Sequence, residues 1–350
     1  MMKKALCLLL CLAMVVSMLT ACGSSSGNKV GVSMPTKTLQ RWNQDGSNMK
    51  EQLEKKGYEV DLQYADDDVA TQVNQIENMI SGGCKVLVIA SIEGDSLGTV
   101  LAQAKEKGVK VIAYDRLIMN TDAVTYYATF DNFMVGVKQG QYIEDQLGLK
   151  SNAGPFNIEL IAGSPDDNNA HIFFEGAMSI LQQYIDNGKL VVKSGQKTFE
   201  QVATQGWKTE NAQSRFEALI AANYADGTQL DAVMASNDST ALGVANALAS
   251  YTGKYPILTG QDCDIANVKN MIAGKQSMSI FKDTRTLAEK TTEMVDAILK
   301  GGEPPINNTT DYDNGKFVVP SYLCDPVFAD VNNYQKLLVE SGYYKAEQLQ

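Results

Sequence analysis

Beyond residue 29 two patterns alternate along the chain, and that alternation constrains the fold more than any other feature. Short β-rich runs (KVGVSM, YEVDLQYA, KVLVIAS, VKVIAYD, FNIELIAG, LVVKSGQ, LDAVMASN and YPILTGQD) are separated by longer segments with helical spacing. Val73, Ile76, Met79 and Ile80 recur at three and four positions and stop at Ser81, Gly82 and Gly83, the pattern of a helix with its end signal. The same spacing predicts helices over 97–108, 133–147, 170–185, 212–222, 239–249 and 287–299. Strict alternation of strand and helix means βαβ units and parallel sheets covered on both faces. There are too many strands for one ordinary sheet of this kind. The chain therefore divides into two doubly wound units, the first ending near Asp131 and the second beginning with the helix at 133, after YYATFDN.

The first residues predict where the protein works. Lys3 and Lys4 precede the apolar stretch ALCLLLCLAMVVSML and the small residues Thr20 and Ala21, the order of a secretory signal over 1–21. LTAC resembles a bacterial lipobox, so Cys22 is expected to carry lipid at the mature N-terminus, on the extracytoplasmic side of the cell membrane. The segment 22–28 is then a short polar tether. Loss of Lys3 and Lys4 moves the formal charge from −11 to −13. An acidic balance of that size argues against nucleic acid or an anionic membrane face as a partner. Cys84, Cys263 and Cys324 remain, an odd number without metal-like spacing, so at most one disulfide can form.

Open parallel sheets bind ligands outside the carboxyl ends of their strands, and here those ends are strongly polar. Arg41 and Trp42 follow the first run, Asp115 and Arg116 the fourth, and residues 164–169 follow IELIAG. Trp207 lies in the loop after VVKSGQ. Asn237 and Asp238 end AVMASND, Asp262 ends ILTGQD, and Lys282 and Asp283 end SMSIFKD. Planar carboxylate, amide and guanidinium groups match the paired oxygens of a polyol, and an indole covers the C–H face of a pyranose. Singly, each residue has a plainer role: Asn237, Asp238 or Asp262 as a helix N-cap, Trp42 and Trp207 as core, Arg41 as a solvated helix start, and Asp115 with Arg116 as a surface ion pair. Caps alone do not require two arginines, a lysine and two tryptophans at the same sheet edges.

At these positions the sequence resembles the bacterial xylose-binding and multiple-monosaccharide-binding proteins, solute-binding components of ABC sugar importers. The resemblance rests on RW at 41–42, LQYADDD, QIENMI, KVLVIASIEG, VIAYDR, FDN, AGSPDDNN at 162–169, ASND, TGQD at 259–262, VVPSYL and GYYK, in order along the whole mature chain. It implies an α/β fold of two doubly wound parallel-sheet lobes joined by a three-crossing hinge, the type I periplasmic-binding-protein fold. Crossings near Asn132, Lys282 and Asn308 assign 29–132 with 283–308 to an N-lobe and 133–282 with 309–350 to a C-lobe. The resemblance further implies sugar contacts from Arg41, Trp42, Asp115 and Arg116 on the N-lobe. Asn169 (or its neighbour Asn168), Trp207, Asn237 and Asp262 contribute from the C-lobe, with Lys282 at the hinge. The implied ligand is an aldose of the xylose, glucose, galactose or arabinose type, taken up by a monomer and passed to an ABC permease with its ATPase.

Enzyme chemistry finds little support. The single histidine, His171, lies in an apolar helical segment, and HExxH, G-x-S-x-G, P-loop and dinucleotide motifs are absent. Asp115 beside Arg116 should stay ionised, which makes a poor general acid for a glycosidase. YADDDV and DYDNGK read as solvated turns, the second lacking the acidic residue a calcium loop needs at position twelve. No cofactor or metal is expected. The alternative role is a sugar sensor whose closed form is presented to a chemoreceptor or histidine kinase.

Overall fold

A computed structural model describes residues 29–151 and 153–350; the signal, Cys22 and tether expected over 1–28 lie outside the described residues. The first unit runs β1 (Lys29–Met34), α1 (Gln40–Lys55), β2 (Glu59–Tyr64), α2 (Val69–Ser81), β3 (Val86–Ile89), α3 (Gly98–Glu106), β4 (Lys110–Tyr114) and β5 (Tyr126–Phe130). The second runs α4 (Asn132–Gln146), β6 (Phe156–Ile161), α5 (Asn168–Asp186), β7 (Leu190–Val192), α6 (Thr209–Asn223), β8 (Ala232–Ala235), α7 (Asp238–Ala247), β9 (Ile257–Leu258), α8 (Ile265–Ile272) and β10 (Met278–Phe281). The chain then returns through α9 (Thr284–Leu299) to β11 (Ser321–Cys324) and ends with β12 (Val327–Asp330) and two short helical turns.

Two parallel sheets result. The first has the order β11-β5-β4-β3-β1-β2; the second, β7-β6-β8-β9, continues through a Gln261–Ile280 bridge to the antiparallel pair β10-β12. Side chains alternate across each sheet, as the period of two requires. Val86, Val88, Ile112 and Tyr114 pack on one face of the first sheet with Leu287 and Val295, while Leu87, Ile89, Val111 and Ala113 pack on the other with Leu97 and Leu101. The second sheet divides likewise between Leu160 and Met234 on one side and Ile161 and Val233 on the other. Its helices α4 and α5 cross at glycines: a Cβ on Gly136 would lie 2.0 Å from the Phe173 carbonyl oxygen.

The third crossing departs from expectation. Residues 321–324 hydrogen-bond in parallel to β5 and extend the first sheet, whereas β12 pairs with β10 in the second. The chain therefore changes lobe between Cys324 and Val327, not near Asn308, and residues 309–324 belong with the first lobe. The reason is an open edge at β5, which Ser321–Cys324 fills. Residues beyond it pack on the second lobe, where Ala329, Leu338 and Tyr344 share a core with Val268 and Phe281. The three cysteines described are buried and unpaired.

Candidate functional site

The strand ends of both sheets converge on a cavity between the lobes, with about 430 Å³ of atom-free space including its mouth. On the first-lobe side Arg41 and Trp42 occupy the opening turn of α1, and Asp115 and Arg116 follow β4. Asp115 has a left-handed backbone, φ 57°, which costs a non-glycine residue energy and persists only where neighbours hold it. Its carbonyl oxygen accepts from Tyr127 Oη at 2.5 Å, Thr129 Oγ1 at 2.9 Å and Asn169 Nδ2 at 2.5 Å. The carboxylate then meets Arg41 Nη2 at 2.6 Å and Lys282 Nζ at 3.6 Å.

Arg116 turns elsewhere. Its Nη1 donates to the carbonyls of Ser91 and Ile92 at 3.0 and 3.2 Å, its Nε stands 3.0 Å from Asp167 Oδ2, and its guanidinium lies 5.0 Å over the Trp42 ring. Asp115 and Arg116, adjacent in sequence, therefore serve different partners and make no surface ion pair.

The second lobe answers with Asp262, φ 100°, whose Oδ1 lies 2.9 Å from Arg41 Nη1 and 3.4 Å from Lys282 Nζ. Lys282 follows β10 at the second crossing, is 2% exposed, and sits 5.8 and 5.4 Å from the Phe130 and Phe173 rings. Trp207, φ 58°, lays its indole on Gly163, where a Cβ would stand 1.9 Å from the ring. Its Nε1 donates to Asp167 Oδ2 at 3.2 Å. Asn237 lines the cavity and also caps α7, its Oδ1 accepting from Thr240 N at 3.0 Å; the plain and the functional roles coexist in one side chain.

Asn169 is the expected contact that does not reach the cavity wall. Its amide is spent on the Asp115 carbonyl and the Tyr127 hydroxyl, so it holds Asp115 from behind, and Asn168 does not line the cavity either. Asp167, two residues earlier, faces inward instead. Sequence reasoning also passed over Asp45, Phe173, Ser239, Gln261 and Asp264. Asp45 had a legible signal, since it stands four residues after Arg41 on one helix face, and its Oδ2 accepts from Arg41 Nε at 2.8 Å.

Charge is distributed unevenly over these groups. Burial works to raise the Asp115 carboxyl, but Arg41 and then Lys282 outweigh it and hold it at about 2. Burial pushes Asp45 up to about 6 against the pull of Arg41, with Asp115 adding to the rise. Asp264 is pushed up to about 7 by burial and by neighbouring Asp262, Arg41 opposing. Fixed ion pairs, amides and aromatic faces around an interlobe cavity suit an uncharged, polyhydroxylated ring.

Residues 30–303 match the family model described as periplasmic binding protein domain. The chain is 54% identical over 325 residues to the multiple sugar-binding periplasmic receptor ChvE of Rhizobium radiobacter, covering 91% of this chain and 92% of the relative. It is 35% identical over 348 residues to the D-xylose-binding periplasmic protein of Escherichia coli, covering 99% of this chain and 99% of the relative, and 35% identical to that of Haemophilus influenzae, covering 97% of this chain and 98% of the relative. Among solved structures, an ABC transporter solute-binding protein of Clostridium phytofermentans with bound β-D-glucose superposes with a TM-score of 0.91 at 70% identity, covering 92% of this chain and 100% of that one.

Proposed function

The chain belongs to the periplasmic-binding-protein family and to its sugar-binding members, and from that premise we propose that it captures one neutral aldose between its lobes and delivers it to an ABC importer. The observation that carries this reading is the Arg41 guanidinium, which joins Asp115 of one lobe to Asp262 of the other inside a cavity walled by Trp42 and Trp207. In this reading Asp115 and Asp262 accept hydrogen bonds from sugar hydroxyls, while Arg116 and Asn237 offer donors. Lys282 lies between both carboxylates at the hinge, and the two indoles cover the C–H faces of the ring. The lobes close on the ligand because Arg41–Asp262 and Arg116–Asp167 each take one partner from each lobe.

Calorimetric titration with D-xylose, D-glucose, D-galactose, L-arabinose and D-ribose tests the reading; absence of binding to all five overturns it. We place the protein as a monomer anchored outside the cell membrane through lipid on Cys22, since two acyl chains suffice for stable anchoring. Cys22→Ser should release protein or leave an uncleaved precursor, and incorporation of labelled fatty acid by that variant would refute the anchor.

A further inference from the structure

Four carboxylates line the cavity: Asp115, Asp167, Asp262 and Asp264. Three of them have cations. Asp115 and Asp262 share Arg41 and Lys282, and Asp167 lies beside Arg116. Asp264 differs. Among the described residues its carboxylate accepts no hydrogen bond and has no Lys or Arg nitrogen within 4.0 Å, and its Oδ1 is fully buried.

A buried acceptor without a donor is costly and calls for an explanation. Helix capping does not supply one. Asp264 holds the N-cap position of α8, yet its side chain takes no bond from that helix, whose first turn leans on its backbone carbonyl instead. The backbone is fixed independently, because Asp264 N donates to Asp238 Oδ2 at 2.8 Å, and Asp238 is itself held by Gln276 Nε2 and Ser279 Oγ. The loop thus presents a carboxyl to the cavity for which the protein provides no partner.

Resting on the aldose-binding reading, we infer that Asp264 selects the ligand by accepting a hydrogen bond from one hydroxyl on its second-lobe edge. Asp262 nearby also holds Arg41 and Lys282 through Oδ1, so the two carboxylates differ: Asp262 ties the lobes as well as facing the sugar, whereas Asp264 has only the sugar to pair with. A group at that position that can only accept, or a hydrogen in place of the hydroxyl, leaves the carboxyl unpaired inside a closed cleft.

The test uses the full chain and its Asp264→Ala and Asp264→Asn variants. Each is titrated with the tightest-binding of D-glucose, D-xylose, D-galactose and L-arabinose, and with the monodeoxy analogues of that sugar. Loss of this hydrogen bond, with the sugar hydroxyl left unpaired in the closed cleft, should weaken binding of the parent sugar to Asp264→Ala by roughly 5- to 150-fold. One deoxy analogue should lose as much against the wild-type protein, and the variant should no longer distinguish that analogue from its parent while still discriminating at every other position. Asp264→Asn keeps an acceptor and should fall between. The melting temperature without sugar should not drop in either variant, which separates the effect from misfolding. Wild-type affinity in Asp264→Ala, or a loss spread evenly over all hydroxyl positions, overturns the inference and leaves the aldose reading standing; failure of the wild-type chain to bind any of these four sugars or D-ribose brings down both.

Discussion

Arg41 in the first lobe donates from Nη1 to Asp262 Oδ1 in the second, 2.9 Å away, while its other nitrogens hold Asp115 and Asp45 of its own lobe. One guanidinium is therefore both a floor of the cavity and a bond across it. Sugar binding should lower the radius of gyration measured by small-angle scattering, and Asp262→Asn should stay nearer its sugar-free value at saturating ligand. An unchanged wild-type profile would argue for a rigid pocket.

Asp115→Ala and Arg116→Ala address the other side of the cleft. Truncating one member of a buried charged network typically costs about 2 to 5 kcal/mol in binding, roughly 30-fold to several-thousand-fold in affinity. The sugar-free melting temperature should change much less, because water reaches the groups once the lobes part. A large loss of stability with binding intact would return the pair to a structural role.

How much of this was legible depended on which side of the polypeptide carried the signal. Strand ends were readable because a parallel sheet turns apolar runs into polar loops at one edge: Asp115 and Lys282 stand immediately after their strands, and Asp262 four residues after β9. Helix α1 escaped the periodicity because its first two turns bury Arg41, Asp45 and Gly46 beside Trp42, and only Met49 and Leu53 carry the apolar face onward. β5 follows a loop instead of a helix, and β11 follows a long irregular return, so neither continued the alternation that exposed the others. Asn169 or Asn168 is the expected contact and Asp167 is not, because the outcome turns on rotation: α5 begins after Asp167, whose carboxylate lies beside Arg116, and two residues on the Asn169 amide points at the Asp115 carbonyl.

Asp45 makes stability depend on pH in a direction opposite to that of a salt-bridged surface carboxylate. Its carboxyl is pushed up to about 6 in the folded protein, against 3.8 for the ordinary group. Between those values the folded state binds more protons than the unfolded state, so the contribution of this group falls as pH rises through the window. The melting-temperature difference between wild type and Asp45→Asn should be most favourable to wild type near pH 4 and should shrink through pH 6. A difference that grows over that interval would show that Arg41 dominates burial at this position.

Gly163 admits Trp207 to the cavity wall. The indole is 4% exposed and its outer ring atom would lie 1.9 Å from a Cβ at Gly163, far inside contact distance. The ring cannot simply swing aside, because Nε1 is tied to Asp167 and its edge abuts Phe173, whose centroid is 6.3 Å away. Gly163→Ala must therefore push the indole into the space a sugar ring would fill or tear it from Asp167. Overpacking of this kind costs about 1 to 3 kcal/mol, and expressed in binding it weakens the sugar roughly 5- to 150-fold. Adding Trp207→Leu removes the clash along with the stacking face, so the double variant should regain thermal stability without regaining affinity. Normal sugar affinity in Gly163→Ala would mean that the indole is core packing and that the opposite face of the sugar is covered by Trp42 alone.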